Sequence, residues 1–342
     1  YSCTIGGNVA ENAGGAHCLK YGVTTNHILG LEVVLPNGEI VEIGEEGIPD
    51  RPGYDLIGLL TGSEGPLGIV TKITCKILKN PQGTKTVLAY FDEIKDASQA
   101  VSDIISAGII PAALEMMDHT AIEGVESGAH PVGHPRDIAA FLLIEVDGIV
   151  AGIDDQMSEI VEVCKRNNVR EVKVAKDEAE RALWWANRKT GFSAMGAISP
   201  DYLVQDGVIP RTKLPEVLEK IGEISKKYNL RIANIFHAGD GNLHPLVLYD
   251  ARVEGEAERA AKAGSECLKV CADAGGSITG EHGVGIEKIE EMRFIFTDEE
   301  IEAQTNIRAV FNPEELLNPG KLFPQPGRCV EIKRELKKAK AL

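Results

Sequence analysis

The sequence has 342 residues, a formal net charge of −16 and a hydrophobic fraction of 43%. At about 150 residues per domain the length predicts two domains, and the composition is typical of a globular chain rather than a disordered one. The acidic excess argues against nucleic acid and against an anionic membrane surface, because both require clustered Lys and Arg. No apolar stretch approaches the about 20 residues that span a bilayer, so no transmembrane segment is expected.

The seven cysteines are scattered and odd in number, which indicates reduced thiols rather than a disulfide framework. Cys267 and Cys271 lie four residues apart in a helical pattern. No second pair accompanies them, so two thiols on one helix face are favoured over half of a metal site. We therefore expect a cytoplasmic protein.

Residues 1–80 are rich in glycine and short apolar runs. Strands are expected at 28–34 and 39–43, joined by the turn signal Pro36-Asn37-Gly38 as a hairpin, and a third at 67–78. Two glycine-rich stretches, residues 5–8 and 12–15, expose backbone amides in the way a phosphate-binding loop does. They lack the G-x-G-x-x-G spacing, so on glycine content alone tight turns are favoured.

Strand-like and helix-like segments alternate from residue 81 to 292, which predicts an α+β sheet covered by helices on one face. Strands are expected at 86–91, 112–117, 139–146, 169–174, 202–209, 231–237 and 244–249, and helices at 97–107, 154–167, 177–195, 214–228 and 255–274. Residues 293–342 show broken helical patterns and a charged tail that is expected to be disordered.

Two compact motifs concentrate histidines. His237 and His244 flank a Gly-Asp-Gly turn, and Glu281-His282 stands between two glycines. Two imidazoles and one carboxylate can bind a divalent metal with positions left open for substrate, and this set suits Zn, Mn or Fe equally. A lone histidine is usually structural, but three of the eight lie in these motifs, which favours a metal site formed by His237, His244 and Glu281, with His282 as a nearby base.

The ordered set of motifs resembles the FAD-linked oxidases of the vanillyl-alcohol-oxidase type, and within them the D-2-hydroxyacid dehydrogenase branch, which includes glycolate oxidase and D-lactate dehydrogenase. The motifs are residues 4–8, 12–15, 21–23, 62–65, 237–244, 280–283 and 318–321. The resemblance implies part of a PCMH-type FAD-binding domain over 1–80, an antiparallel-sheet-plus-helices substrate (cap) domain over 81–292, and a C-terminal segment over 293–342 that returns to the FAD domain.

Family members carry an earlier stretch with another glycine-rich loop that wraps the pyrophosphate. This chain lacks it, and we expect the chain to be the C-terminal part of a longer protein or a truncated gene product.

The resemblance also assigns residues. It implies that His237, His244 and Glu281 are metal ligands, that His282 is the catalytic base, and that Arg188 meets the substrate carboxylate. The positions that match flavin-contacting residues are Gly6, Gly7, Asn8, Asn12, Ala13, Gly14, Gly15, Tyr21, Gly22, Glu64, Gly65, Gly68, Ile69, Val70 and Asn318.

The implied activity is metal-assisted oxidation of a D-2-hydroxyacid to a 2-oxoacid, with hydride transfer to FAD. Electrons would pass to a separate acceptor, either an iron–sulfur subunit, an electron-transferring flavoprotein or a quinone, and such a partner could hold the protein at a membrane. Members acting on longer diacids place a polar residue shortly after the second metal histidine and often a lysine at the position of Val204. Here Pro245 and Leu246 follow His244, which favours glycolate or lactate.

Two alternatives remain open at this point. One is a non-oxidative flavoprotein of the ether-lipid synthase type, against which the histidine and acid motifs weigh. The other is a truncated, non-catalytic metal-binding subunit or scaffold.

Overall fold

The computed structural model describes residues 3–44 and 53–324. They divide into two units that are each discontinuous in the chain. Unit 1 draws on residues 3–13, 27–44, 53–76 and 282–324, and unit 2 on residues 14–26 and 77–281. The charged tail that the sequence predicts lies largely outside the described residues.

The helices and strands of the described residues are numbered in chain order. The helices are α1 (Ile5–Glu11), α2 (Cys18–Tyr21), α3 (Leu56–Leu60), α4 (Ile94–Ser106), α5 (His119–Glu126), α6 (Val150–Arg166), α7 (Glu178–Lys189), α8 (Gly191–Ala194), α9 (Leu214–Tyr228), α10 (Glu256–Asp273) and α11 (Asp298–Phe311). The strands are β1 (Ile28–Val34), β2 (Ile40–Gly44), β3 (Ile69–Cys75), β4 (Gly83–Phe91), β5 (Ala113–Asp118), β6 (Ala140–Gly148), β7 (Glu171–Val174), β8 (Asp201–Val204), β9 (Gly207–Val208), β10 (Ile232–His237), β11 (Asn242–Leu243) and β12 (Pro245–Tyr249). Short 3₁₀ turns lie at Thr24–His27, Met195–Ala197, Arg211–Lys213 and Glu290–Phe294.

Unit 1 contains a three-stranded antiparallel sheet in the order β2-β1-β3. The hairpin predicted around Pro36-Asn37-Gly38 is confirmed as β1 and β2. Leu31 and Val33 of β1 are buried against Val9 of α1 and Leu60 of α3, so alternate residues of β1 supply the core of this unit.

The tight turn favoured at residues 5–8 is wrong, because these residues begin α1. The side chain of Thr4 caps the helix by accepting from the Gly7 amide at 3.1 Å, as N-cap threonines commonly do. Asn12 ends it in the left-handed conformation, with φ of 52°. Burial of Val9 in the core holds a segment whose glycines alone do not favour a helix.

Unit 2 is built on a nine-stranded sheet in the order β7-β4-β6-β5-β10-β11-β9, with β12 pairing to β10 and β8. The pairs are antiparallel, as the predicted α+β class requires. Cys267 and Cys271 are both buried on α10, as two thiols on one helix face.

Helices cover this sheet on both faces, so the expectation of one covered face is wrong. Along β4, Val87 and Ala89 point into a core shared with α4, α6, α9 and α10. Leu88 and Tyr90 point into a second core shared with α5 and α7. The near-continuous apolar runs of the strands agree with burial on both faces.

Two predicted elements are divided in the structure. The helix expected over 177–195 stops at Lys189, because Thr190 leaves helical geometry and its hydroxyl donates to the Ala186 carbonyl at 2.9 Å. The strand expected over 202–209 splits into β8 and β9, where Asp206 turns inward to accept hydrogen bonds from residues 279–281. The sequence reasoning also missed helix α5.

Among the described residues no helix combines the length and the apolar character needed to cross a membrane.

Candidate functional site

The two histidines of the first motif come together at one end of a hairpin in unit 2. His237 is the last residue of β10, and β10 pairs with both β11 and β12. The turn is held by Asp240, whose carboxylate accepts from the Asn242 amide at 3.1 Å. His244 lies between β11 and β12, and its ring centroid is 5.2 Å from that of His237, with the ring planes at 86°. The Gly-Asp-Gly turn that the sequence shows between the two histidines therefore brings both imidazoles together.

Glu281 lies against both imidazoles. Its Oε1 is 3.2 Å from Nε2 of His237 and 3.3 Å from Nε2 of His244. The same three side chains offer ligand atoms that all lie within 4.8 Å of one another. The structure thus brings the three predicted metal ligands into one cluster, although 44 residues separate His237 from Glu281.

A buried carboxylate holds the loop that carries Glu281. Asp206 accepts from the Thr279 hydroxyl at 2.7 Å, from the Gly280 amide at 2.9 Å and from the Glu281 amide at 3.1 Å. A Cβ on Gly280 would lie 2.6 Å from the Asn242 side chain, so only glycine allows this loop to approach the histidine turn so closely.

Glu115 joins the cluster to helix α7. It stands in β5 directly opposite His237 in β10, and its Oε1 is 2.7 Å from Nδ1 of His237. Its Oε2 forms a salt bridge with the Arg188 guanidinium. The Glu115 side chain is fully buried, and burial of a charge requires pairing of this kind.

Burial and neighbouring charges set the ionisation of this cluster. Burial on its own lowers the pKa of His237, but the Glu115 carboxylate outweighs burial and raises that pKa to about 10. Burial raises the pKa of Glu281, yet hydrogen bonds from His237 and His244 outweigh it and hold the pKa well below its usual value. Burial and the neighbouring acids raise the pKa of Asp240.

Arg188 has one hydrogen-bond donor that the described residues leave unpaired. It is only 8% exposed, and its Nε has no hydrogen-bond partner among the described residues. A buried donor without a partner is unusual in a folded protein and calls for an explanation.

Phe192 of α8 lies edge-on to His244, with ring centroids 5.6 Å apart.

His282 and several predicted flavin-contacting residues belong to unit 1. The Glu64 carboxylate accepts from the amides of Val284 and Gly285, both at 2.6 Å, and its carbonyl accepts from the Asn318 side chain at 2.6 Å. Glu64 thus fixes the loop that follows His282. Gly283 has φ of +75°, and a Cβ there would clash with the Glu11 carboxylate.

The remaining predicted flavin residues lie in both units. Those in unit 1 are Gly6, Gly7 and Asn8 in α1, Asn12 and Ala13 directly after it, Gly65 and Gly68 before β3, and Ile69 and Val70 within β3. Those in unit 2 are Gly14 and Gly15 before α2, Tyr21 at its end and Gly22 after it. The Tyr21 hydroxyl donates to Asp147 at 2.6 Å.

The sequence reasoning missed Glu115 and Asp206. Each had a signal, because each is an acidic residue inside an otherwise strand-like apolar run, where charges are rarely buried without a partner. The partners themselves could not be read from the sequence, since Glu115 and His237 are 122 residues apart.

Comparisons with known proteins identify the family of this chain. Residues 80–322 match the family described as FAD linked oxidases, C-terminal domain. The chain belongs to this FAD-linked oxidase family. Residues 1–44 match a FAD binding domain.

Three curated relatives illustrate the FAD-linked oxidase likeness. Glycolate oxidase subunit GlcD of Escherichia coli is 48% identical over 331 residues, which cover 97% of this chain and 66% of the relative. The GlcD of Bacillus subtilis is 41% identical, covering 95% and 69%, and a D-lactate dehydrogenase of Anaerostipes hadrus is 32% identical, covering 93% and 69%. The chain therefore spans about two thirds of the length of these relatives.

Solved structures share the fold of this FAD-linked oxidase at low sequence identity. The 4-ethylphenol oxidase of Gulosibacter chungangensis aligns with a TM-score of 0.72 and 16% identity, covering 95% of this chain and 71% of that one. p-Cresol methylhydroxylase aligns with a TM-score of 0.71 and 17% identity, covering 92% and 67%. These likenesses establish the PCMH-type architecture and the α+β class.

Proposed function

We propose that this chain carries the substrate-activating part of a FAD-dependent dehydrogenase that oxidises a small D-2-hydroxyacid, glycolate or D-lactate, to the 2-oxoacid. The observation that carries the proposal is the approach of two imidazole Nε2 atoms, from His237 and His244, to one carboxylate oxygen of Glu281 at 3.2 and 3.3 Å. The names of the glycolate oxidase and D-lactate dehydrogenase relatives support the substrate class.

The donor set fits a divalent metal ion. Nitrogen and oxygen ligands at about 2.0–2.1 Å from a zinc ion are separated from one another by about 3.0–3.4 Å, which is the range of the Glu281 distances. The buried acids Glu115 and Asp206, together with Glu281, whose side chain is 12% exposed, add the negative charge that a cation requires. His237, His244 and Glu281 would hold the ion, and Zn, Mn and Fe all suit this set.

When bound, the metal would lower the pKa of the substrate hydroxyl, as it does for bound water. His282, which follows the ligand Glu281 in the chain, would then accept the hydroxyl proton, because an imidazole can act as a general base at neutral pH. The Gly283 turn and the Glu64 contacts would fix the backbone on its C-terminal side.

Arg188 would bind the substrate carboxylate. Its Nε has no partner among the described residues, while another of its nitrogens is held by Glu115. A guanidinium offers donors in a fixed planar fork, so one edge can be anchored by the protein while another meets the substrate.

Two of the glycines predicted to contact FAD fit a ligand that approaches the backbone closely. A Cβ built on Gly6 or Gly65 would meet no described atom within 4 Å. Packing inside the chain therefore does not explain the glycine at position 6, where φ is ordinary, and a ligand lying against that face would. FAD would supply the hydride acceptor, and electrons would then pass to an iron–sulfur subunit, an electron-transferring flavoprotein or a quinone.

A small substrate is supported by the residues near the second histidine. Val204 in β8 pairs directly with Leu246 in β12, and both contribute to the same apolar core. Neither offers a charge to a second substrate carboxylate, so a monocarboxylic 2-hydroxyacid fits better than a diacid.

The test is a screen of D-2-hydroxyacids with an artificial dye acceptor, using the FAD-loaded protein that contains this chain. We expect oxidation of glycolate or D-lactate that is lost on treatment with a chelator and restored by a divalent metal. Full activity in metal-free protein would remove the metal step. A protein that binds metal but shows no flavin absorbance would favour the non-catalytic scaffold.

A further inference from the structure

Glu115 lies in strand β5, beside the strand that carries the candidate ligand His237. Its neighbours Leu114 and Met116 point into the core shared with α4 and α9, so Glu115 points to the opposite face, where α7 packs. The register of β5 and β10 sets it opposite His237, and residues directly opposite in antiparallel strands share a face.

The two carboxylate oxygens of Glu115 have different partners. Oε1 meets Nδ1 of His237 at 2.7 Å, and Oε2 meets the guanidinium of Arg188. One fully buried side chain therefore contacts a candidate metal ligand and the candidate substrate-binding arginine at once.

We propose that Glu115 is a positioning residue that aligns His237 for metal binding and Arg188 for the substrate carboxylate. An acceptor at Nδ1 keeps a proton on that nitrogen, so Nε2, the ring nitrogen that faces Glu281, is the atom that would bind a metal in place of its own proton. Ligating histidines generally donate their other N–H to such a carboxylate, which fixes the ring and raises its basicity. This inference rests on the proposed function and adds a residue to it.

The chain offers a matched control in Glu145. It stands on the neighbouring strand β6, in register with Ala113 of β5, and is 2% exposed. Like Glu115 it pairs with an arginine of α7, in this case Arg181 at 2.7 Å. Its other partners are Thr86 and Trp185, and none of these is a candidate ligand.

The experiment measures the Zn²⁺ affinity of the purified protein that contains this chain, by competition with a chromophoric chelator, together with its thermal unfolding midpoint. We expect Glu115→Gln to weaken Zn²⁺ binding about 10- to 100-fold, and Glu145→Gln to change it by no more than about twofold. Glu115→Asp keeps the charge on a shorter side chain, so we expect it to recover part of the lost affinity.

The Arg188 half of the inference has its own readout. In the FAD-loaded protein, Glu115→Gln should raise the KM for D-lactate about tenfold, and Glu145→Gln should leave it unchanged.

The outcomes separate the two proposals. If the wild-type chain binds no Zn²⁺, the metal step of the proposed function fails and this inference fails with it. If the wild type binds Zn²⁺ and Glu115→Gln binds it equally well, only the positioning role is overturned. If Glu115→Gln does not fold, Glu115→Asp decides: weaker Zn²⁺ binding supports the role, and wild-type affinity contradicts it.

Discussion

Two buried glutamates on neighbouring strands of the same sheet show how similar burial can serve different ends. Glu145 accepts from Thr86, Trp185 and two nitrogens of Arg181, all of them structural donors. Glu115 divides its oxygens between His237 and Arg188. Burial and an arginine partner on α7 are common to both, so neither feature marks the site. The second partner does, because only Glu115 touches a side chain that can bind a metal or a proton.

The largest expected effect comes from removing His237, the candidate metal ligand that Glu115 contacts. Loss of a residue that hydrogen-bonds a metal ligand typically weakens metal binding about 10- to 100-fold. We expect His237→Ala, which removes a ligand itself, to reduce the Zn²⁺ affinity by more than this and to reduce dye-linked oxidation of D-lactate in parallel. Chelator competition and the dye assay measure the two quantities. His119→Ala is the control, since His119 is exposed and bonds the Ile138 carbonyl outside the cluster.

The next effect separates the base from the metal. We expect His282→Ala to slow flavin reduction in a single turnover with D-lactate by about 10²- to 10⁴-fold, as loss of a general base does, while Zn²⁺ content stays at the wild-type level. Stopped-flow absorbance and metal analysis check this. A wild-type reduction rate in the variant would mean that His282 is not the base.

Replacement of Glu145 is expected to change the stability of the protein and not its catalytic activity. Glu145→Gln breaks a buried ion pair and should lower the free energy of unfolding by about 3 kcal/mol at neutral pH. Denaturant titration measures it, and a variant as stable as the wild type would contradict the ion pair's role.

The same pair has a pH signature. Burial raises the pKa of Glu145, but the Arg181, Thr86 and Trp185 donors outweigh it and hold the pKa below its usual value of 4.5. The stability from this carboxylate is thus present above pH 4.5 and is lost as the pH falls below it. The stability difference between wild type and variant should shrink accordingly in acid, and a difference independent of pH would exclude the charged pair as its source.

The smallest effect concerns substrate size. Val204→Lys places a cation opposite Leu246, at the position where the family resemblance implies a lysine in members that act on longer diacids. We expect the ratio of kcat/KM for D-2-hydroxyglutarate to that for D-lactate to rise about tenfold, the worth of one charge-assisted hydrogen bond. Val204→Met is the control for side-chain length, and an equal rise in that variant would rule out the charge as the cause.

Local patterns predicted the elements whose signals are local. The Pro36-Asn37-Gly38 turn defined the first hairpin, and the bounds of α9 follow from its apolar spacing. Helix α1 was missed because its stability comes from the Thr4 cap and from burial of Val9 rather than from propensity. The break at Thr190 was missed for a similar reason, since a hydroxyl bonded to its own helix leaves little trace in the periodicity.

The residues of the site likewise fall into those that a local pattern reveals and those that it does not. His237, His244 and Glu281 stand out because glycines frame them in compact motifs. Glu115 and Asp206 are single acidic residues in apolar runs, and their roles depend on pairings between elements far apart in the chain. Side-chain chemistry can be read from a sequence, whereas the partner of a buried charge is set by sheet register.

The most direct test of the central claim is a crystal structure of the Zn²⁺-loaded chain with anomalous diffraction recorded at the zinc edge. The proposed site predicts one strong anomalous peak bonded to Nε2 of His237, Nε2 of His244 and the carboxylate of Glu281. A zinc-loaded crystal with no peak among these three side chains would contradict it.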